Sequence, residues 1–190
     1  MSAAISQSLP VAVGVLVSPL PIVAVVLMLV SERTRSNALT FVTGWFLAVL
    51  AVVAVVALLA GSAAPDGAEP PAPKWMAAID QFTPVRSAGL AVLLGPVNPK
   101  NLLLLVSGGT AIAAAAPGDD GTTAVATLVF AVVASAGVVT PVVIYFSMGA
   151  RAAGVLDELK SWMIRNNAAI MAALLLGLGA KMLGDGISTL

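Results

Sequence analysis

Lys100 is the residue best equipped for chemistry in this chain. It follows Asn98-Pro99, precedes Asn101 and opens the aliphatic run Leu102–Val106. A lysine at the centre of a spanning helix costs about 2.5–3.5 kcal/mol on the insertion scale, so an intramembrane lysine is a functional candidate. It can pair with an anionic group or exchange a proton with it. The competing reading is that Lys100 snorkels along a short helix whose start lies near Asn101. Asn98 and Asn101 can hydrogen-bond a substrate or offer carbonyl oxygens to a cation, and either can equally cap that helix. The group sits in Gly95-Pro96-Val97-Asn98-Pro99-Lys100-Asn101, and a second interruption, Ser18-Pro19-Leu20-Pro21, precedes another aliphatic run near the start of the chain. Prolines 19 and 21 remove the helical donors of the Val15 and Val17 carbonyls; prolines 96 and 99 do the same to Val92 and Gly95. Asn98, preceding a proline, is pushed toward an extended backbone. Two such breaks pair freed carbonyls with new helix N-termini inside lipid, the arrangement of broken-helix transporters. Pro141, standing alone, reads as an ordinary kink.

Much other chemistry is excluded. The 190 residues contain no Cys and no His, which removes disulfides, thiolate and imidazole metal sites and His-based catalysis. Nine Lys and Arg balance nine Asp and Glu, leaving no basic excess for nucleic acid. No phosphate-binding Gly-x-x-x-x-Gly-Lys loop is present, so energy must come from a gradient or a partner. The sequence carries no nucleophile or acid/base constellation, and therefore predicts no enzyme, no cofactor and no metal.

What must position Lys100 is a membrane bundle. The chain is 59% apolar and 9% charged, with a mean hydropathy of +1.05, against roughly 45–50% and 25% for a soluble domain. The hydrocarbon core, about 30 Å thick, needs about 20 apolar residues per helix. Five runs qualify: Leu9–Val30, Ala38–Ala60, Ser87–Ala116, Thr123–Met148 and Asn167–Leu183. The expectation is an all-α, polytopic bundle of about five spans forming one transmembrane domain over 1–190. Its first half is 1–60, its polar loop 61–85 and its second half 86–190. The loop holds Pro65, Asp66, Glu69, Pro70, Pro71, Pro73 and Lys74, with an interfacial patch at Trp75 and Met76. In 150–165, Val155, Leu156, Leu159, Trp162 and Met163 stand at helical spacing opposite Asp157, Glu158 and Lys160, as in an amphipathic surface helix. Small pairs four apart, Gly14/Ser18, Ala173/Gly177 and Ala180/Gly184, suit close helix packing. Thr140 and Tyr145 can line a pathway, although a Tyr near a span end also serves as an interfacial anchor.

Basic residues cluster at Arg33/Arg35, at Lys74/Arg86 and at Arg151/Lys160/Arg165, whereas the turn 117–121 has only Asp119 and Asp120. Five crossings cannot put every basic cluster inside. The positive-inside rule then favours cytoplasmic 74–86 and 151–165, with Asp119 and Asp120 outside. Either Ala38–Ala60 spans and leaves Arg33/Arg35 outside, or that segment is re-entrant.

Pro96 through Leu104, preceded by Lys74-Trp75-Met76-Ala77-Ala78-Ile79-Asp80 and Pro84, resembles the glycolipid-addressing (GAP) family within the lysine exporter superfamily. Ser18–Pro21 and Trp162–Ile170 fit the same pattern, so the resemblance covers most of the chain. It implies six spans in two halves of opposite orientation, a proline break in the first helix of each half, and help in moving envelope glycolipids or sulfolipids. Carried over, Pro19 and Pro21 mark the first break; Asn98, Pro99 and Lys100 mark the second. The departure lies after Ala60, where the family's third span has no aliphatic counterpart. Restoring one crossing there would bring all basic clusters to one side.

The resulting expectation is a multi-pass plasma-membrane transporter or export component moving an envelope lipid, glycolipid or small solute. Its pathway would use Ser18, Pro19, Pro21, Asn98, Pro99, Lys100 and Asn101. The alternative is a non-transporting scaffold for lipid-export or lipid-synthesis machinery. Expected partners are membrane lipids, export or synthesis proteins and a second copy of the chain.

Overall fold

A backbone in lipid must satisfy its own hydrogen bonds, and apolar residues here line nearly the full circumference of most segments, so the chain folds as helix. A computed structural model describes residues 1–29, 34–62 and 98–187, and every regular element among them is helical. The helices are α1 (Ser2–Leu16), α2 (Pro19–Leu29), α3 (Thr34–Ser62), α4 (Pro99–Ala115), α5 (Asp120–Met148), α6 (Ala152–Arg165) and α7 (Asn167–Ile187), with a 3₁₀ turn at Gly149–Arg151 before α6.

Helices α1 and α3 occupy opposite corners of a four-helix square, each packed on both α4 and α5. Helix α2 lies against α3 and α5, and α6 folds back onto α2 and the end of α5. With lipid tails as apolar as leucine, shape rather than hydrophobicity decides which helices meet. Three glycines carry this. A Cβ on Gly108 would come 2.3 Å from the Phe130 ring, one on Gly109 would come 2.7 Å from Val56, and one on Gly137 would come 2.0 Å from the Leu16 carbonyl oxygen. Around them Phe41, Trp45, Leu105, Ile112 and Phe130 are almost wholly buried, with Phe41 and Trp45 stacked at 6.3 Å.

Ends are set by local chemistry. Asp119 caps α5, its carboxylate accepting from the Thr122 amide at 2.9 Å and the Thr122 hydroxyl at 2.6 Å. The preceding turn needs Gly118 at φ +73°, a left-handed conformation costly for other residues. Both bonds from Thr122 favour the charged carboxylate and hold its pKa below the usual range. Pro10, by contrast, sits inside α1 without ending it.

The described residues bear on part of the expected spans. Among the described residues, only 37–61 and α5 are long and apolar enough to cross alone, and α1 with α2 make a third candidate bent by 50°. The first expected run therefore begins earlier, at Ser2, and is broken in two. Of Ser87–Ala116, residues 87–97 lie outside the described residues, and α4 alone has 17. The last expected run contributes a shorter apolar stretch, Asn167–Gly177. Helix α3 continues through Ala38–Ala60 as one 29-residue helix. Among the described residues, the small pairs of α7 meet no neighbour. Gly177 and Gly184 have nothing within 4 Å, and Ala173 and Ala180 are exposed.

Candidate functional site

The first break occupies two residues, Val17 and Ser18. Pro19 and Pro21 fall in the first turn of α2, where a helix needs no amide donors, and their fixed φ suits that position. The expectation that Val15 loses its donor is only partly met, because the Ser18 amide turns in and bonds the Val15 carbonyl at 3.1 Å. Ser18, Pro19 and Pro21 are all buried.

The second site begins at Asn98, with φ −63° and ψ 118°, the extended backbone that a following proline imposes. Its side-chain oxygen accepts from the Lys100 amide at 3.1 Å, so Asn98 is the N-cap and Pro99 the first helical residue of α4. Pro99 is exposed, Asn101 is completely buried and Lys100 lies between these extremes. The Lys100 ammonium nitrogen is shielded from solvent and has no hydrogen-bond partner among the described residues.

These two places meet. A cavity of about 460 Å³ is lined by Ser18, Pro19, Leu20 and Val23 from the first break, by Asn98 and Lys100 from the second, and by Met163, Ile164, Asn167 and Met171 from the α6–α7 corner. Among the described residues, no carboxylate lines it. Its lining is mostly apolar with a few polar groups, and its size falls within the roughly 300–1,000 Å³ of small-molecule sites. Leu20 and Ile164 stand at its edge with more than half of their surface outside the protein.

The first break packs against α5. Leu16 touches Gly137, and Gly137 lies three residues from the middle of α5, or about 5 Å at 1.5 Å per residue. The first break therefore lies beside the middle of α5, the level at which broken-helix transporters bind their cargo when such a helix crosses the bilayer.

Of the expected residues, the structure brings together Ser18, Pro19, Asn98 and Lys100. Pro21, Pro99 and Asn101 shape the two breaks without lining the cavity. Thr140 is exposed and returns its hydroxyl to the Ala136 carbonyl at 2.7 Å, and Tyr145 packs edge-on against Phe146. Neither joins the site. Sequence reading missed the third wall. The helical spacing predicts Met163 on an amphipathic face at the membrane surface, yet Leu156 and Met163 turn inward, while Val155 and Trp162 remain exposed beside them. Asn167 carried no signal beyond its position after Asn166, which ends α6 by giving its amide and side-chain Nδ2 to the Trp162 carbonyl. The loop patch at Trp75 and Met76, the Lys74/Arg86 cluster, Arg33 and the break at Pro96 lie outside the described residues.

A family model described as Sap, sulfolipid-1-addressing protein, matches the chain in two pieces, residues 9–72 and 65–188. The pieces meet in the Pro-rich stretch after Ala60, where the sequence departs from the resembled pattern. No curated protein and no solved structure matches the chain. Because the two pieces together cover nearly its full length, the chain belongs to the sulfolipid-1-addressing protein family.

Proposed function

We propose that this membrane protein is a multi-pass plasma-membrane transporter or export component, and that it moves an anionic envelope lipid through the pocket between its two breaks. The observation that carries this reading is the Lys100 ammonium, which among the described residues is buried without a hydrogen-bond partner and faces a cavity that no carboxylate lines. A buried cation left in this condition is unfavourable unless something arrives to pair with it. An anionic head group meets that need, as a sulfate ester or a carboxylate would. The alkyl part has an apolar route to the bilayer past Leu20 and Ile164. A cavity of this size takes a head group and the beginning of a chain, so the remaining hydrocarbon stays in lipid. Family membership supports a role in sulfolipid addressing.

The test uses purified protein in liposomes of neutral lipid containing a fluorescent alkyl sulfate, with a zwitterionic fluorescent lipid as control. Movement of the sulfate between leaflets, lost on Lys100→Ala, supports transport by the chain alone. Movement of both probes alike, or of neither, counts against it. Activity that returns only with other envelope proteins points to the scaffold reading.

A further inference from the structure

Pro141 stands four residues after Gly137, and both are buried in α5. Proline has no amide hydrogen, so the Gly137 carbonyl loses its ordinary helical donor at the level where α5 passes the α1–α2 break. Gly137 is also a place where the two backbones come close. A Cβ there would lie 2.0 Å from the Leu16 carbonyl oxygen and 3.4 Å from the Ile22 side chain. Two weak points in two different helices therefore face each other across one contact. On one side of this level are α1 and α4, which pack together. On the other are α2, α6 and the C-terminal end of α5, with α6 joined to the end of α5 by a short 3₁₀ turn and packed on α2. The cavity has walls from both groups: Asn98 and Lys100 belong to the first, whereas Leu20, Val23, Met163 and Ile164 belong to the second.

We propose that the Val17–Ser18 break and the Gly137–Pro141 segment form a single hinge, and that α2, α6 and the end of α5 tilt about it as one body to open and close the Lys100 pocket. Two hinge points in register let two helices bend together, whereas a lone kink would force them to shear. Gly137 permits the backbones to roll on each other without a side chain between them, and Pro141 removes the bond that would stiffen α5 at that place. A tilt of about 20°, the size of an ordinary proline kink, acts over the eleven steps of helical rise from Gly137 to Met148. That length is about 17 Å, so its far end moves by about 6 Å. Nothing in this depends on which cargo fills the pocket, so the hinge and the transport reading fail separately.

The chain's lack of cysteine allows direct measurement. Spin labels at Leu103→Cys on α4 and Glu158→Cys on α6 span the two bodies. A pair at Val13→Cys and Leu103→Cys lies within one of them, and all three positions are exposed. In lipid nanodiscs the spanning pair should give two distance populations separated by several ångströms, and the control pair should give one. Pro141→Ala should merge the two populations while the control pair and the melting temperature of the bundle hold. Gly137→Ala should shift the spanning pair toward one population, since the Leu16 contact cannot survive a Cβ. A single narrow distribution in the unaltered background overturns the hinge, as do two populations that persist in Pro141→Ala. If Gly137→Ala fails to fold, the Pro141→Ala result alone decides.

Discussion

Replacing Lys100 by methionine should make the protein more stable and less active. Methionine keeps the length of the stem and removes the charge. The insertion scale sets the cost of a central lysine at about 2.5–3.5 kcal/mol, and the site lies several ångströms from the midpoint of α5, where some of that cost is relieved. The ammonium has no hydrogen bond to lose among the described residues. The expected gain is therefore about 1–2 kcal/mol, a factor of about 5–30 in the folded-to-unfolded ratio. Reversible denaturation in lipid nanodiscs measures it. Liposome assays at matched protein abundance should find movement of the alkyl sulfate lost in the same variant, and in Lys100→Ala and Lys100→Glu, all of them still inserted. Stability and function would separate in the direction expected where strain is kept for activity. A Lys100→Met protein destabilised by 1 kcal/mol or more would mean that the ammonium is paired in the native state. Full activity would remove Lys100 from the mechanism.

Joint replacement of Pro19 and Pro21 by alanine should straighten the α1–α2 junction and reduce transport without lowering the melting temperature; unchanged transport would reduce the break to a simple kink. Gly108→Leu should cost at least 1–3 kcal/mol by driving a side chain into Phe130, seen as a lower denaturation midpoint. The depressed pKa of Asp119 means that its contribution is complete above the carboxylate's unfolded pKa and is lost as pH falls through the lower folded value. Acid titration of stability should accordingly show a decline in the unaltered protein that is absent in Asp119→Asn. Single cysteines at Ser2 and at the exposed Asp120 should report topology with an impermeant reagent. Labelling at 120 is expected from outside, and labelling there only from the cytoplasm would overturn the orientation.

The breaks were legible because proline chemistry is local. Pro19, Pro21 and Pro99 sit in the first turn of a helix for a reason visible in any sequence, and Asn98 announces itself as a cap by preceding a proline. That Ser18 and Lys100 share a cavity was inferable only as a pairing of two similar interruptions. The third wall was not legible, because nothing in Met163 or Asn167 distinguishes a residue facing a pocket from one facing lipid. The contacts that hold the bundle were hidden for the same reason. In an apolar solvent the helix face that meets a neighbour carries no polarity signal, so Gly108, Gly109 and Gly137 look like Gly177 and Gly184 until the helices are placed. Among the described residues, the small pairs spaced four apart on α7 meet no neighbour. Helix α6 shows the converse difficulty, since its apolar arc is wide enough to divide between the protein, through Leu156 and Met163, and its surroundings, through Val155 and Trp162.

The pocket's walls come from three distant stretches of chain, the last of them about sixty residues beyond Lys100. During synthesis at roughly 5–20 residues per second, α4 emerges several seconds before α6 and α7 exist to cover its lysine. For that interval the insertion machinery holds a helix whose one charge has only half of its shelter, and a chain cut short before Met163 never completes it. Such fragments should be recognised and degraded in the cell, because the charge of Lys100 is left without its cover.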